Sequence, residues 1–189
     1  MRMDQKIAEI KGGTLQVKLF VGGCILLILS LMSFKPGGGS VGKNLYETFY
    51  VGEEGTQYFI KPLSFSGKNK VLLKLDFTFR YKVAMKDSAV VNISFLNTEI
   101  IRCLDSVKIA NGTNTMVFKK INCLFAEQKE KMYHTRFTAK GSLAELHKLF
   151  DKSNWNLTAY EKNNSGIFTT PKATEKKIQK MKESIFTEF

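Results

Sequence analysis

The chain predicts a mainly β protein: an N-terminal single transmembrane helix, then an antiparallel β-sandwich or barrel-like domain with one short helix and a C-terminal amphipathic helix. Three observations carry this reading. An apolar run, LFVGGCILLILSLMSF, occupies residues 19–34; alternation of period two dominates from about Asn44; and turn-forming clusters separate the alternating segments. The implied division is a short basic segment over 1–18, an anchor over 19–35 with an alternative start at 15, a Gly-rich linker over 36–43, a β-domain over 44–170 and an amphipathic tail over 171–189.

The basic segment holds Arg2, Lys6, Lys11 and Lys18. A cleaved secretory signal shares such a start, but Met32, Phe34 and Lys35 occupy the exit where small residues are needed. Val21-Gly22-Gly23-Cys24 resembles a bacterial lipobox, in which small residues precede a Cys that becomes lipidated. That resemblance implies an apolar segment ending at the Cys, whereas here Ile25 to Phe34 continue it. A spanning helix needs about 20 residues to cross the hydrocarbon core. Leu19, Phe20, Ile25, Leu26, Leu27, Ile28, Leu29, Leu31 and Phe34 supply the apolar body, and Lys18 reaches the head groups to complete the length. PGGGSVG, residues 36–42, is a helix stop followed by a flexible linker, which a buried core helix does not require. The excess of basic residues before the run places the N-terminus in the cytoplasm and the domain outside it, in a periplasmic or extracellular space.

Strands follow in order. KVLLKLDFTFRYKV puts Val71, Leu73, Leu75, Phe77, Phe79, Tyr81 and Val83 on one side and mostly charged residues on the other, the signature of an antiparallel strand with one wet face. Further strands are read at residues 56–62, 88–96, 106–110, 115–126, 131–139, 156–160 and 166–170. They are separated by SGKN (66–69), NGTN (111–114) and NNSG (163–166). Ser142-Leu143-Ala144-Glu145 is a capping box, and Leu143, Leu146, Leu149 and Phe150 form the apolar stripe of the short helix it starts. In the tail, Ile178, Met181, Ile185, Phe186 and Phe189 recur at helical spacing among lysines. Docking back on the chain's own domain is the commonest fate of such a stripe, and the same residues are candidate contacts for a partner or for lipid.

The composition narrows the function classes. Net charge is +12, and the residues after position 35 hold 24 basic against 15 acidic side chains, a diffuse +9 that favours anionic surfaces. There are two histidines, no HExxH, no Cys-x-x-Cys, no P-loop and no G-x-S-x-G elbow, so no catalytic, metal or cofactor site is nominated. Outside the cytoplasm Cys103 and Cys123 make an even pair and a disulfide candidate; inside it they are free thiols. Asn92, Asn111, Asn156 and Asn163 each fit N-x-[ST]. The expected function is a membrane-anchored, extracytoplasmic, non-catalytic binding or assembly module, a subunit of an envelope complex whose partners are membrane lipid and other protein subunits or copies of itself. The alternatives are a basic binder of anionic lipid or nucleic acid, and an envelope enzyme using His134 or His147. Nucleic acid is disfavoured because Phe77, Phe79 and Tyr81 share a face with aliphatics and read as core.

Overall fold

The computed structural model describes residues 45–68, 71–81, 88–162 and 164–186. The elements are β1 (Tyr46–Tyr50), β2 (Thr56–Gly67), β3 (Leu72–Tyr81), β4 (Ser88–Asn97), β5 (Ser106–Ala110), β6 (Thr115–Phe118), β7 (Ile121–Lys129), β8 (Met132–Ser142), α1 (Leu143–Leu149), β9 (Asn156–Glu161), β10 (Asn164–Thr169) and α2 (Lys172–Ile185). The anchor residues Lys18 to Phe34 and Phe189 lie outside the described residues. Among the described residues no helix is long and apolar enough to cross a membrane.

The expected mainly β architecture is present, and the strands form one sheet instead of two facing ones. Its path runs β6-β5-β9-β10-β2-β3-β4-β8-β7, with β1 added to β2, and every pairing is antiparallel. The two ends of the path, β6 and β7, are separated in the chain by Lys119 and Lys120 alone, so the sheet is nearly closed on itself by one bent stretch of chain. The sequence reads residues 115–126 as one strand because its alternation barely lapses at the two lysines. The bend lets β6 pair with β5 and β7 with β8.

Closure depends on a missing side chain. A Cβ at Gly141 of β8 would press into Met116 and lie 2.7 Å from Cε1 of Phe118, so β6 can approach β8 only because position 141 is glycine. Gly141→Ala is expected to lower stability by about 1–3 kcal/mol through overpacking. The reading is a reduced urea midpoint at unchanged slope.

Period-two patterning fills the interior. Leu73, Leu75, Phe77 and Phe79 of β3 face inward beside Val91, Ile93 and Phe95 of β4, and all are buried. The high Phe content of the sequence has a use here. Phe65, Phe77 and Phe150 surround Trp155 at ring separations of 6.4, 6.2 and 4.9 Å, while Phe95 touches both Phe137 and Phe168 edge-on. On the outer face the Arg136 guanidinium lies 2.8 Å from Oδ2 of Asp76 and donates to Ser94 at 2.8 Å, while Asn92 donates to Asp76 at 2.7 Å. These four residues tie β3, β4 and β8 together across the wet side.

Pro62 accounts for the irregularity of β2. Its first part, Thr56 to Ile60, pairs with β1, and its end, Ser66 and Gly67, pairs with β10 on the same edge. Pro62 has no N–H to offer a ladder, and it falls at the register shift between Ile60 and Leu63 where one partner gives way to the other. The sequence reading stops this strand at Pro62; the structure carries it to Gly67 and adds β1.

Both helices close the end of the sheet where Ser88 of β4 meets Ser142 of β8. Ser142 caps α1 as expected, its hydroxyl accepting the Glu145 N–H at 3.3 Å. The C-terminal carbonyls of α1 are met by a distant turn: the Asn111 side chain donates to Lys148 and Leu149 at 3.2 and 2.9 Å and accepts from the N–H groups of Thr113 and Asn114. Asn111 is 1% exposed. Its match to N-x-[ST] marks no accessible acceptor in the folded chain, because its amide is consumed inside the fold.

The tail docks on its own domain, the commonest of the expected outcomes, and the candidacy of its described apolar residues as partner or lipid contacts is corrected. Ile178, Met181, Ile185 and Phe186 are buried in the domain's own core, and Phe186 stacks on Phe79 and Phe150 at 5.8 and 4.4 Å. Thr174 donates its hydroxyl to the Ser64 carbonyl at 2.7 Å, fixing the start of α2 on β2. These four apolar residues are unavailable to a partner or to lipid, since the sheet's end supplies the apolar surface they need.

Candidate functional site at the seam of the sheet

The sheet is weakest where β10 meets β2. β10 pairs with β9 over all six of its residues, but with β2 only through Phe168 opposite Gly67 and Thr169 opposite Ser66. β2 leaves the sheet at Lys68, where the chain turns and the Gly67 N–H bonds to the Val71 carbonyl at 3.0 Å. Beyond that point the edge of β10 at Asn164 to Ile167 faces no strand among the described residues. In an antiparallel ladder alternate residues direct N–H and C=O to the same edge. This stretch therefore presents backbone donors and acceptors to the space beside it.

That space is a cleft of about 340 Å³ at the end of the sheet opposite the helices. Phe95, Leu104 and Phe168 form its floor, Val71 and Ile101 its walls, and Lys68, Asn97, Glu99 and Glu161 its rim. The connection between β4 and β5, residues 98–105, folds over one side and is held to β9 by the Asp105 N–H, which bonds to the Tyr160 carbonyl at 2.9 Å. Its size and apolar floor with scattered polar groups match the usual form of a binding pocket.

Phe168 sets the depth of the cleft. Its ring packs edge-on against Phe95 at 5.8 Å and lies so close to two backbone positions that a Cβ on Gly67 would sit 2.7 Å from Cε1, and one on Gly166 would sit 3.1 Å from Cε2. The ring stands in for the absent ladder, holding β10 to β2 by packing where hydrogen bonds run out.

A second open edge belongs to β7, the last strand of the path. Eight of its nine residues are exposed, Leu124 and Phe125 among them. This edge carries the features by which sheets discourage further pairing: a register shift between Cys123 and Phe125, and exposed lysines at 119, 120 and 129. The β10 edge carries no register shift and borders a concavity, with Lys68 and Lys162 only at its margin.

The sequence-predicted candidates fall elsewhere. Cys103 and Cys123 are both free and exposed, so the expected disulfide is not formed. β5 does not neighbour β4; the 98–105 connection carries Cys103 across to β9, while Cys123 is held opposite Phe137 in β7. His134 is on the outer face of β8, with Nδ1 3.4 Å from Glu127 and its ring 5.1 Å from that of Phe125. The hydrogen bond from Lys129 holds the Glu127 carboxyl below its ordinary pKa, with His134 adding to the effect. His147 on α1 packs against Phe186 at 5.3 Å. Neither histidine lines the cleft. Among the described residues no group of three or more His, Cys, Asp or Glu is placed to hold a metal ion.

Two sequence signals point at the seam. Gly166 opens the segment GIFTT, inside what the structure shows as β10, and Gly67 ends β2, and a glycine in a strand marks a close approach. What approaches them, Phe168, is two residues from one and about a hundred from the other. No family model, no curated protein and no solved structure matches the chain.

Proposed function

We propose that the chain is a membrane-anchored, extracytoplasmic, non-catalytic binding module that joins a larger assembly by accepting an extended segment of another protein along β10. The observation that carries this reading is the loss of the β2 partner beyond Phe168, next to an apolar-floored cleft. A strand added there continues the line that β2 abandons, and a backbone edge is satisfied in full by another backbone. Alternate side chains of the guest then point toward Val71, Ile101 and Leu104. The apolar run over 19–34 and the basic residues before it support the anchorage and the orientation.

Two measurements test it. Alkaline carbonate is expected to leave the full-length chain in the membrane fraction, and its release as a peripheral protein would refute the anchor. A companion protein that co-purifies from membranes is expected to slow amide exchange at 164–167 and to be lost from Ile101→Glu, which sets a charge in the cleft wall. An apolar side chain contributes about 1.5–3 kcal/mol when buried, so the loss in affinity is about tenfold or more. Val117→Glu, on an exposed residue of β6, is the control and should retain the companion. Unchanged exchange at 164–167 in the loaded complex would remove strand addition.

A further inference from the structure

We infer that the outward face of α2 is a docking surface for anionic phospholipid head groups. Thr174, Ile178, Met181 and Ile185 fix one side of the helix in the core, so Lys172, Lys176 and Lys180 rise along the opposite side with Lys177 on its flank, and all four are exposed. At 1.5 Å per residue the first three form a line about 12 Å long. None of the four forms an ion pair among the described residues.

Folding alone gives no reason for this arrangement. Like charges four residues apart repel, and Glu175 in the first turn and Glu183 beyond Lys180 offset only part of the charge of Lys172, Lys176, Lys177 and Lys180. The helix would be served equally well by neutral polar residues on its wet face. An external anion relieves the remaining repulsion.

The chemistry of that anion follows from what accompanies the lysines. The aromatic residue at the end of α2, Phe186, is buried, so the face offers no ring on which a base could stack. Lysine is a point charge without the fork that recognises one phosphate geometry. A line of point charges on a rigid helix whose apolar side is already occupied suits a planar, laterally mobile array of head groups, approached without insertion. The inference rests on the proposed anchorage only for keeping the domain near a bilayer; the charge argument is independent of it.

The test uses the full chain with phosphatidylcholine vesicles and with phosphatidylcholine vesicles containing phosphatidylglycerol, and measures lysine acylation by mass spectrometry. Lys172, Lys176, Lys177 and Lys180 are expected to react several-fold more slowly on the anionic vesicles, and the protection should disappear as salt shortens the screening length. Lys74 and Lys108, exposed on the sheet, are expected to react equally on both. Equal acylation of the four lysines on both vesicles, or protection indifferent to salt, would overturn the inference. Protection by duplex DNA without protection by anionic vesicles would overturn it in favour of nucleic acid. A chain that fails to sediment with phosphatidylcholine vesicles yet is protected on anionic ones would refute the anchor and uphold the docking face. Because the native chain is itself the probe, no outcome depends on whether a variant folds.

Discussion

Phe168→Ala is expected to destabilise the domain by about 3–5 kcal/mol, the range for removing a fully packed aromatic ring. The effect belongs at the top of that range because the ring does two jobs. It fills the space between Phe95 and the backbones of Gly67 and Gly166, and it holds together a pair of strands joined through two residue pairs only. Without it β10 remains bound to β9 and is released from β2. Urea unfolding should show a lower midpoint, and native-state exchange should show amides at 66–67 and 168–169 opening before those of β3 and β4. If midpoint and exchange both match the native chain, packing at Phe168 does not hold the seam. Phe168→Leu separates volume from shape: it keeps apolar contact with Phe95 and should recover part of the loss.

Trp155→Ala is expected to have an effect of the same size, about 3–5 kcal/mol, where the end of α1 meets the sheet. Trp155 is buried among Phe65, Phe77 and Phe150, and its indole N–H donates to the carbonyls of Leu149 and Lys152 at 2.9 and 2.8 Å. Its backbone is tied to Thr170, which donates to the Trp155 carbonyl and accepts its N–H, so one residue connects the end of α1 to the chain between β10 and α2. Trp155→Phe divides the two contributions. It preserves most of the ring packing and removes the indole donor; the Leu149 carbonyl keeps the Asn111 amide and the partly exposed Lys152 carbonyl loses this bond, a change of about 0.5–1.5 kcal/mol. Circular dichroism in urea measures both variants, since the chain's only tryptophan is the residue removed. A Trp155→Phe chain as stable as the native one would show that the indole N–H is dispensable.

Legibility in the sequence follows the range of the interaction that sets each feature. The face of each strand is local: Leu73, Leu75, Phe77 and Phe79 alternate with Lys74, Asp76 and Thr78, and burial follows that alternation residue by residue. The N-cap of α1 is equally local, since Ser142 and Glu145 lie within one turn. The apolar stripe of α2 is visible in the sequence, but its destination is not. Whether Ile178 and Phe186 meet lipid, a partner or home is decided by the sheet's end, which supplies Phe79 and Phe150.

The cysteines show the same limit from the other side. Their spacing around the NGTN turn allows a bridge, yet the route of residues 98–105 from β4 to β9 is a matter of strand order, and strand order has no local signature. Asn111 satisfies its motif in sequence and spends its amide on a helix end about 37 residues away.

By itself, then, the sequence determines a β-rich chain, the inward and outward faces of its strands, the start of its short helix, the amphipathic character of its last helix and the diffuse positive charge. Those properties repeat every two or four residues, and neighbours along the chain suffice to produce them. The closing of the sheet at Lys119 and Lys120, the seam at β10 and the cleft beside it were decided by the tertiary structure alone. Each depends on residues far apart in the chain, Gly141 with Phe118 and Gly67 with Phe168, whose fit exists only once both strands are in register.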